Sequence, residues 1–230
     1  MKYKIFGEEY TPKFSLPMAG NLLKQDFIKI DLSENNLDLK SANTETLEGL
    51  GDYIFSKIKD NNVLCAYGGY NEKRDLYRRS LHFKDSGEFR SIHLGIDFWM
   101  PAGTGVIATM PGRIHSFANN NNPGDYGPTI VLEHFIGNEK IHALYGHLSK
   151  TSLENIQVGD IVARGEVIGT LGTSDENVNW PPHLHFQLIR DMGAYQGDYP
   201  GVCRENEKTF YLKNCPNPIT YFHQSWQKKL

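Results

Sequence analysis

The sequence predicts a mainly β protein: a sandwich or barrel of short strands, preceded by a small α/β extension. From about Ser91 onward, short apolar segments alternate with turn signals, a pattern typical of all-β domains. Before residue 75, one amphipathic helix lies between two strand-like segments. The chain has 230 residues, enough for one substantial core, and its 39% hydrophobic and 22% charged residues are typical of a globular protein.

The α/β extension is predicted to cover residues 1–75 and to begin with a strand. Within Asp26–Ser33, the apolar residues Ile28, Ile30 and Leu32 alternate with charged or polar neighbours. Alternation with a period of two places these three side chains on one face, so a half-buried strand is expected.

An amphipathic helix is predicted next, from about Asn43. Apolar residues recur there at intervals of three and four, at Leu47, Leu50, Ile54 and Ile58. Asn43 or Thr44 is a suitable N-cap, and Asn61-Asn62 marks the end of the helix. A short apolar strand, Val63–Ala66, follows and is terminated by Gly68-Gly69.

The second unit, predicted over residues 76–201, consists of short strands. The strand candidates are Gly105–Thr109, Gly112–Phe117, Thr129–His134, Lys140–Tyr145, Asp160–Val162, Glu166–Leu171 and Leu184–Ile189. Ala118–Pro128 is rich in Asn and Gly and is predicted to be a polar loop. The tail, residues 202–230, is predicted to wrap around the domain, with a short helix near its end.

Charge and composition give no support for nucleic-acid binding. The formal net charge is −3, and no basic run is long enough to follow a phosphate backbone. The densest basic cluster comprises Lys73, Arg74, Arg78 and Arg79. We predict that this cluster is a solvated face; a pocket for an anionic substrate is the alternative.

No membrane span is predicted, because the sequence has no run of about 18 apolar residues. Its first nine residues lack the apolar stretch of a signal peptide, which predicts a cytoplasmic protein, or a periplasmic or secreted one if a leader has been trimmed.

Cys65, Cys203 and Cys215 match no disulfide framework, and buried, reduced thiols are expected. Pairing of Cys203 with Cys215 in an oxidising compartment is the alternative. No feature assigns an oligomeric state.

Two residues four positions apart, His93 and Asp97 in the motif H-L-G-I-D, are suited to bind a metal ion. Zinc takes nitrogen, oxygen or sulfur ligands at about 2.0–2.3 Å, and a catalytic zinc leaves one position for water. Gly95 would allow a turn or a close backbone approach that lets both side chains converge. Such pairs are common on protein surfaces, so the prediction depends on further ligands.

The motif H-L-H supplies two more histidines, His183 and His185. Residues two apart on a strand point to the same face, so both imidazoles would enter one space while Leu184 and Phe186 face the opposite side. Two histidines on one strand face are uncommon in a core, because each has a polar nitrogen that needs a partner. His147 in Y-G-H-L-S is the fifth candidate.

Between residues 91 and 189 the chain resembles the lysostaphin-type zinc metallopeptidases. The resemblance is carried, in matching order and spacing, by H-L-G-I-D-F-W-M-P-A-G-T-G-V-I-A, P-G-R-I, Y-G-H-L-S, V-G-D-I-V-A-R-G-E-V-I-G-T-L-G and H-L-H-F-Q. It implies a mostly antiparallel β-sandwich or barrel-like peptidase domain with a groove over one zinc ion. By this resemblance the zinc ligands are His93, Asp97 and His185, and the catalytic residues are His147 and His183.

The activity that the resemblance implies is hydrolysis of a peptide amide bond in bacterial peptidoglycan cross-bridges or stem peptides. His183 would act as the general base and His147 would stabilise the oxyanion or protonate the leaving amine, although the two roles are exchangeable. Tyr145 and Asn119–Asn122 are either groove contacts or ordinary strand and loop positions.

Two departures from the family pattern keep another substrate open. Thr173–Trp180 reads T-S-D-E-N-V-N-W and would change one wall of the groove. The segments G-G-Y-N-E-K-R-D-L-Y and D-Y-P-G-V resemble those beside this module in large bacterial proteins with an aminotransferase domain. A cytoplasmic peptide or amide unrelated to the cell wall is therefore the alternative substrate.

Three other functions account for parts of the pattern. A sugar-permease phosphocarrier has a histidine in a similar H-x-G-I-D context, but it has no use for four converging histidines. A biotinyl- or lipoyl-type carrier would explain V-G-D-I-V-A-R-G-E-V-I-G, but Ala163-Arg164-Gly165 lacks the lysine that bears the cofactor. A non-catalytic, metal-binding member of the family would keep the fold; the presence of all five site residues favours an enzyme.

Overall fold

A large, mostly antiparallel sheet forms the centre of the structure, a computed structural model that describes residues 3–5, 8–10, 14–42, 44, 46–85 and 87–222. The first strands are β1 (Tyr3–Ile5), β2 (Glu8–Tyr10), β3 (Phe27–Lys29), β4 (Cys65–Gly68), β5 (Glu72–Lys73), β6 (Lys84–Asp85), β7 (Glu88–Phe89) and β8 (Ile92–His93). The later strands are β9 (Ile96–Trp99), β10 (Gly105–Ile107), β11 (Gly112–Asn120), β12 (Gly127–Ile136), β13 (Glu139–Gly146), β14 (Ile161–Val162), β15 (Val167–Thr170), β16 (His183–Ile189) and β17 (Val202–Cys203). The α-helices are α1 (Leu37–Ser41), α2 (Leu47–Asp60) and α3 (Lys208–Asn214).

The large sheet has the strand order β14-β11-β12-β13-β16-β9-β4-β3. Its neighbours pair antiparallel except β3 and β4, which are parallel. A three-stranded sheet, β17-β8-β5, and the pair β10-β15 lie beside it. The predicted mainly β, antiparallel architecture is therefore confirmed. No helix among the described residues is long and apolar enough to cross a membrane.

The predicted N-terminal extension contributes directly to the large sheet. Strand β4 pairs with β9, and Gly68 lies opposite Asp97 in that pairing. Strand β3 in turn pairs with β4 at the sheet edge. The domain boundaries at residues 75 and 201 stay predictions, but the sheet that carries Asp97 is continuous across the first of them.

The predicted amphipathic helix is α2, although its cap differs from the prediction. Asn43 lies outside the described residues, and the helix is capped by Thr46, whose side chain accepts the backbone N–H of the residue three positions on at 3.1 Å. Leu50 and Ile54 are buried in an apolar cluster that includes Trp99 of β9. The helix therefore covers one face of the sheet beside the candidate site.

Several strand limits differ from the prediction because pairing partners determine them. The predicted strand at Asp26–Ser33 is limited to β3, and the one at Val63–Ala66 is shifted to β4. Ala118–Pro128 is only partly a loop, since β11 continues to Asn120 and pairs it with Gly127. A short helix was predicted near the end of the tail; the described part of the tail contains α3, and residues 223–230 lie outside the described residues. The three cysteines are buried and free.

Strand β16 separates the candidate site from the main core by alternation of its side chains. Leu184, Phe186 and Leu188 belong to the largest apolar cluster, whereas His183 and His185 occupy the alternate positions. All seven residues of the strand are buried, so both faces of the sheet are covered. The prediction that the two histidines share a face opposite Leu184 and Phe186 is confirmed.

Tyr145 is a core residue and not a groove contact, and its hydroxyl provides a test of the core. The ring is fully buried, and the Oη atom accepts the backbone N–H of Thr109 at 3.0 Å. Tyr145→Phe should lower the free energy of unfolding by about 1–3 kcal/mol, because a buried N–H loses its acceptor. Urea denaturation would measure this loss. Tyr195→Phe, which alters a half-exposed ring, is the matched control, and an equal effect of both changes would contradict the prediction.

Candidate metal centre

Three predicted site residues converge where β8, β9 and β16 meet. His93 ends β8, Asp97 lies in β9, and His185 of β16 is paired directly with Asp97. The Nε2 atom of His93 lies 2.9 Å from Nδ1 of His185, and each of these nitrogens lies 3.2 Å from Oδ1 of Asp97. All three side chains are buried and could together hold a metal ion.

The hydrogen bonds of the two histidine rings fit a bound cation. Nδ1 of His93 donates to the Gly69 carbonyl, and Nε2 of His185 donates to Oε1 of Gln187, both at 2.9 Å. A neutral imidazole has one donor and one acceptor nitrogen, so each inner nitrogen presents a lone pair. Two lone pairs and a carboxylate then face one another with no proton between them. This donor set suits zinc, with bonds of about 2.0–2.2 Å.

Gly95 permits the close packing predicted for it. A Cβ atom at this position would lie 2.6 Å from ring atoms of His185 and 2.9 Å from the carbonyl oxygen of Phe186. Any side chain would therefore push β16 away from the turn between His93 and Asp97. The expected role of this glycine in close approach is confirmed.

Arg74 is a buried partner of the site that the sequence pattern did not reveal. It is 3% exposed, and its Nη1 atom donates to Oδ2 of Asp97 at 2.7 Å. Its Nε atom donates to Oε2 of Glu72 at 2.6 Å. The prediction of a solvated face is wrong for this residue, although Lys73 and Arg78 are exposed. Because Arg74 holds Oδ2, the other carboxylate oxygen of Asp97 faces the histidines.

Gln187 is a second partner without a predicted role. Its Oε1 atom accepts from His185, and its amide Nε2 donates to the Pro200 carbonyl at 3.1 Å. These two bonds fix which end of the amide faces the ring, and they orient the ring of His185. The signal was present in H-L-H-F-Q, since a period of two places Gln187 on the same face as His185.

His147 reaches the site through an unusual backbone conformation. It follows β13, where regular alternation would place its side chain in the core with Tyr145. Its φ of +62° lies in the left-handed region, which histidine adopts more often than most residues other than glycine. The ring consequently lies beside His183, with 4.0 Å between the two ring centroids.

His183 presents one nitrogen to the metal-binding group. Its Nδ1 atom donates to the Pro181 carbonyl at 2.7 Å, which leaves a lone pair on Nε2. This Nε2 atom lies 4.0 Å from Oδ1 of Asp97. The ring of Trp99 stacks on the imidazole, with 5.9 Å between centroids, and holds it in place. The structure thus brings all five predicted site residues together.

Burial keeps His93, His147 and His183 neutral. It lowers the pKa of His93 to about 3, with a further contribution from the positive charge of Arg74. It also lowers the pKa of His147 well below its usual value, and that of His183 below its usual value. Burial opposes ionisation of Asp97, but the positive charge of Arg74 holds the pKa of that carboxyl well below its usual range. Neutral nitrogens and an ionised carboxylate are the states that bind a cation.

The space above these residues is a pocket of about 200 Å³. Aromatic side chains form much of its wall, among them Tyr77, Tyr126 and Trp180. A larger cavity of about 750 Å³ adjoins it and is bordered by Asn122. Two further residues of the predicted contact segment, Asn119 and Asn120, lie in β11.

The family model of peptidase family M23 matches residues 91–197. Lysostaphin of Staphylococcus staphylolyticus is 41% identical over 99 residues, which are 43% of this chain and 18% of that protein. Peptidoglycan DD-endopeptidase ShyA of Vibrio cholerae is 34% identical over 111 residues, which are 47% of this chain and 23% of that protein. The chain thus matches less than a quarter of the length of either relative.

A solved structure, the catalytic domain of lysostaphin from Staphylococcus simulans, also matches. The alignment has a TM-score of 0.39 and 27% identity, and it covers 66% of this chain and 93% of that one.

Proposed function

From the match of residues 91–197 to the model of peptidase family M23, we propose that this chain is a zinc-dependent endopeptidase acting on bacterial peptidoglycan. The bond hydrolysed is an amide of a cross-bridge or stem peptide. One observation carries the proposal: three buried lone-pair donors converge on one point, with two neutral histidines beside them. The similarity to the peptidoglycan DD-endopeptidase ShyA supports the substrate class.

One zinc ion would be held by His93, Asp97 and His185. When bound, it would polarise the scissile carbonyl and make a water molecule acidic near neutral pH. Gln187 and the Gly69 carbonyl keep the two ligand rings in the orientation and tautomer that binding requires.

The two remaining histidines supply the proton transfers. His183 accepts the proton of the attacking water on Nε2, because its Nδ1–H is committed to the Pro181 carbonyl. His147, beside it, donates a hydrogen bond to the developing oxyanion or relays to the leaving amine the proton that His183 has taken from water. Burial keeps both rings neutral before the reaction, so His183 is ready to act as a base.

Mass spectrometry of cell-wall material tests the proposal. Purified peptidoglycan and soluble muropeptides are incubated with the zinc-loaded protein, and new amine termini are identified. We expect a single type of new amine terminus, absent from a chelated sample and from His147→Ala. A protein that binds one equivalent of zinc and releases no amine from either material would refute the proposed activity.

A further inference from the structure

The metal-binding and catalytic residues lie at the base of a small pocket that is partly covered by a roof of other chain segments. His93, Asp97, His147, His183 and His185 are each at most 5% exposed. The cavity above them measures about 200 Å³. Clefts that bind drug-sized ligands measure about 300–1,000 Å³. The inner cavity therefore has room for only a small part of a peptide.

The roof is built from three chain segments, residues 75–83, 123–126 and 195–202, which are bonded to one another or to Trp180. The bonds run from Ser80 Oγ to the Pro123 carbonyl (2.5 Å), from Trp180 Nε1 to the Gly124 carbonyl (3.2 Å) and from Tyr126 Oη to the Tyr199 carbonyl (3.0 Å). Opening the roof for a polymer strand would break these bonds, each of which contributes about 0.5–1.5 kcal/mol.

The outer cavity borders the inner one and offers an approach to it. The two cavities share wall residues, namely Leu76, His82, Phe83, Gly124 and Trp180. A peptide that passes between these side chains would place one end at the metal-binding group and the remainder in the outer cavity. A chain continuing in both directions from the scissile bond would have to cross the roof.

Charged groups line the inner cavity away from the metal-binding group. Arg90, Asp125 and Asp198 all contribute to this wall. Arg90 already donates to the His82 carbonyl and Asp125 already accepts from the Asn122 amide, so a segment from the middle of a polymer would cover this charged wall without adding an opposite charge to it. A chain end carries a charge that these groups can pair with.

We propose that the site accepts a short peptide with a free end and excludes amides in the interior of a cross-linked polymer. The proposal rests on the peptidase activity proposed above and narrows its substrate to short, soluble stem peptides. Hydrolysis is unchanged: one water is consumed, one C–N bond breaks, and a carboxylate and an amine are released.

A substrate series tests this proposal with the zinc-loaded full chain. It consists of insoluble cross-linked peptidoglycan, free stem tetrapeptides, the same peptides with only one end blocked, and peptides blocked at both ends by acetylation and amidation. The kcat/KM for free peptides should exceed that for doubly blocked peptides by about ten-fold or more, with no release from the insoluble polymer. The singly blocked peptides identify which end enters.

The outcomes distinguish this proposal from the function on which it rests. Cleavage of the insoluble polymer or of doubly blocked peptides as efficiently as free peptides would overturn the proposal and leave the peptidase activity standing. Cleavage of no substrate by protein with zinc bound would overturn both.

A rim variant tests the roof itself. Tyr195 lines the inner cavity, is 45% exposed and packs against Tyr199. Tyr195→Ala should widen the mouth and raise the relative kcat/KM for doubly blocked peptides several-fold, with zinc affinity unchanged. Phe210→Ala, at an aromatic residue of α3 that is 67% exposed and borders neither cavity, is the control and should leave this ratio as it is. An unchanged ratio in Tyr195→Ala would overturn the proposal.

Discussion

Replacing either His147 or His183 by alanine is expected to abolish turnover while zinc stays bound. The three converging ligand atoms belong to other residues, so neither change removes a donor from the metal-binding group. General acid–base catalysis contributes about 10²–10⁴-fold to rate, and kcat should fall by at least about 10²-fold in each variant. Peptide hydrolysis measures kcat, and atomic absorption measures the zinc content of the same samples.

Two comparisons sharpen this prediction. His115→Ala removes a half-buried histidine that contacts His142 and Ser116 and lies outside the site, so it should leave kcat and zinc content unchanged. The double variant of His147 and His183 should lose little more than the worse single variant, because the two residues serve one reaction step. Full activity in His147→Ala would refute its assigned role. Loss of zinc from His183→Ala would place that residue among the ligands.

The site was predictable because its residues follow local rules. His183 and His185 share a face through the period of two in β16, and Gly95 marks the close approach of that strand. His147 could not be placed by the same rule. Regular alternation sends its side chain into the core, and only its left-handed backbone returns the ring to the site. Its assignment came from the family motif.

The roof could not be predicted, because its parts are distant in the sequence. Residues 75–83, 123–126 and 195–202 become neighbours only after the sheet has formed, and their bonds run between backbone carbonyls and single side chains. The polar composition of Ala118–Pro128 gave the wrong limits for a different reason. Pairing with a partner strand extended β11 over asparagines that favour a loop in isolation.

Arg74→Met should both destabilise the fold and weaken zinc binding. The sequence does not show that Arg74 differs from the basic residues around it. In the structure it is buried because it pairs with Asp97, which lies 23 residues away along the chain. Removing it leaves the buried carboxylate of Asp97 and the largely buried one of Glu72 without their counter-charge. Breaking a buried pair in this way costs about 3–5 kcal/mol. Loss of a group that orients a metal ligand typically weakens metal binding by about 10–100-fold.

Two effects of opposite sign act on zinc affinity in this variant, and their magnitudes decide the prediction. Loss of the positive charge of Arg74 favours binding of a cation. Without the hydrogen bond from Arg74, however, the carboxylate of Asp97 can turn away from His93. We expect the loss of ligand orientation to outweigh the electrostatic gain, because the ligands must point toward a common centre for the ion to bind. Linkage then requires the unfolding free energy to fall by about 1.4–2.8 kcal/mol more with saturating zinc than without it. Urea denaturation with and without zinc measures the unfolding free energies, and chelator competition measures zinc affinity.

Arg78→Met is the control. It removes a mostly exposed pair with Asp75 and should cost under about 1 kcal/mol of unfolding free energy. Tighter zinc binding by Arg74→Met would show that Arg74 balances the charge of Asp97 and does not position it.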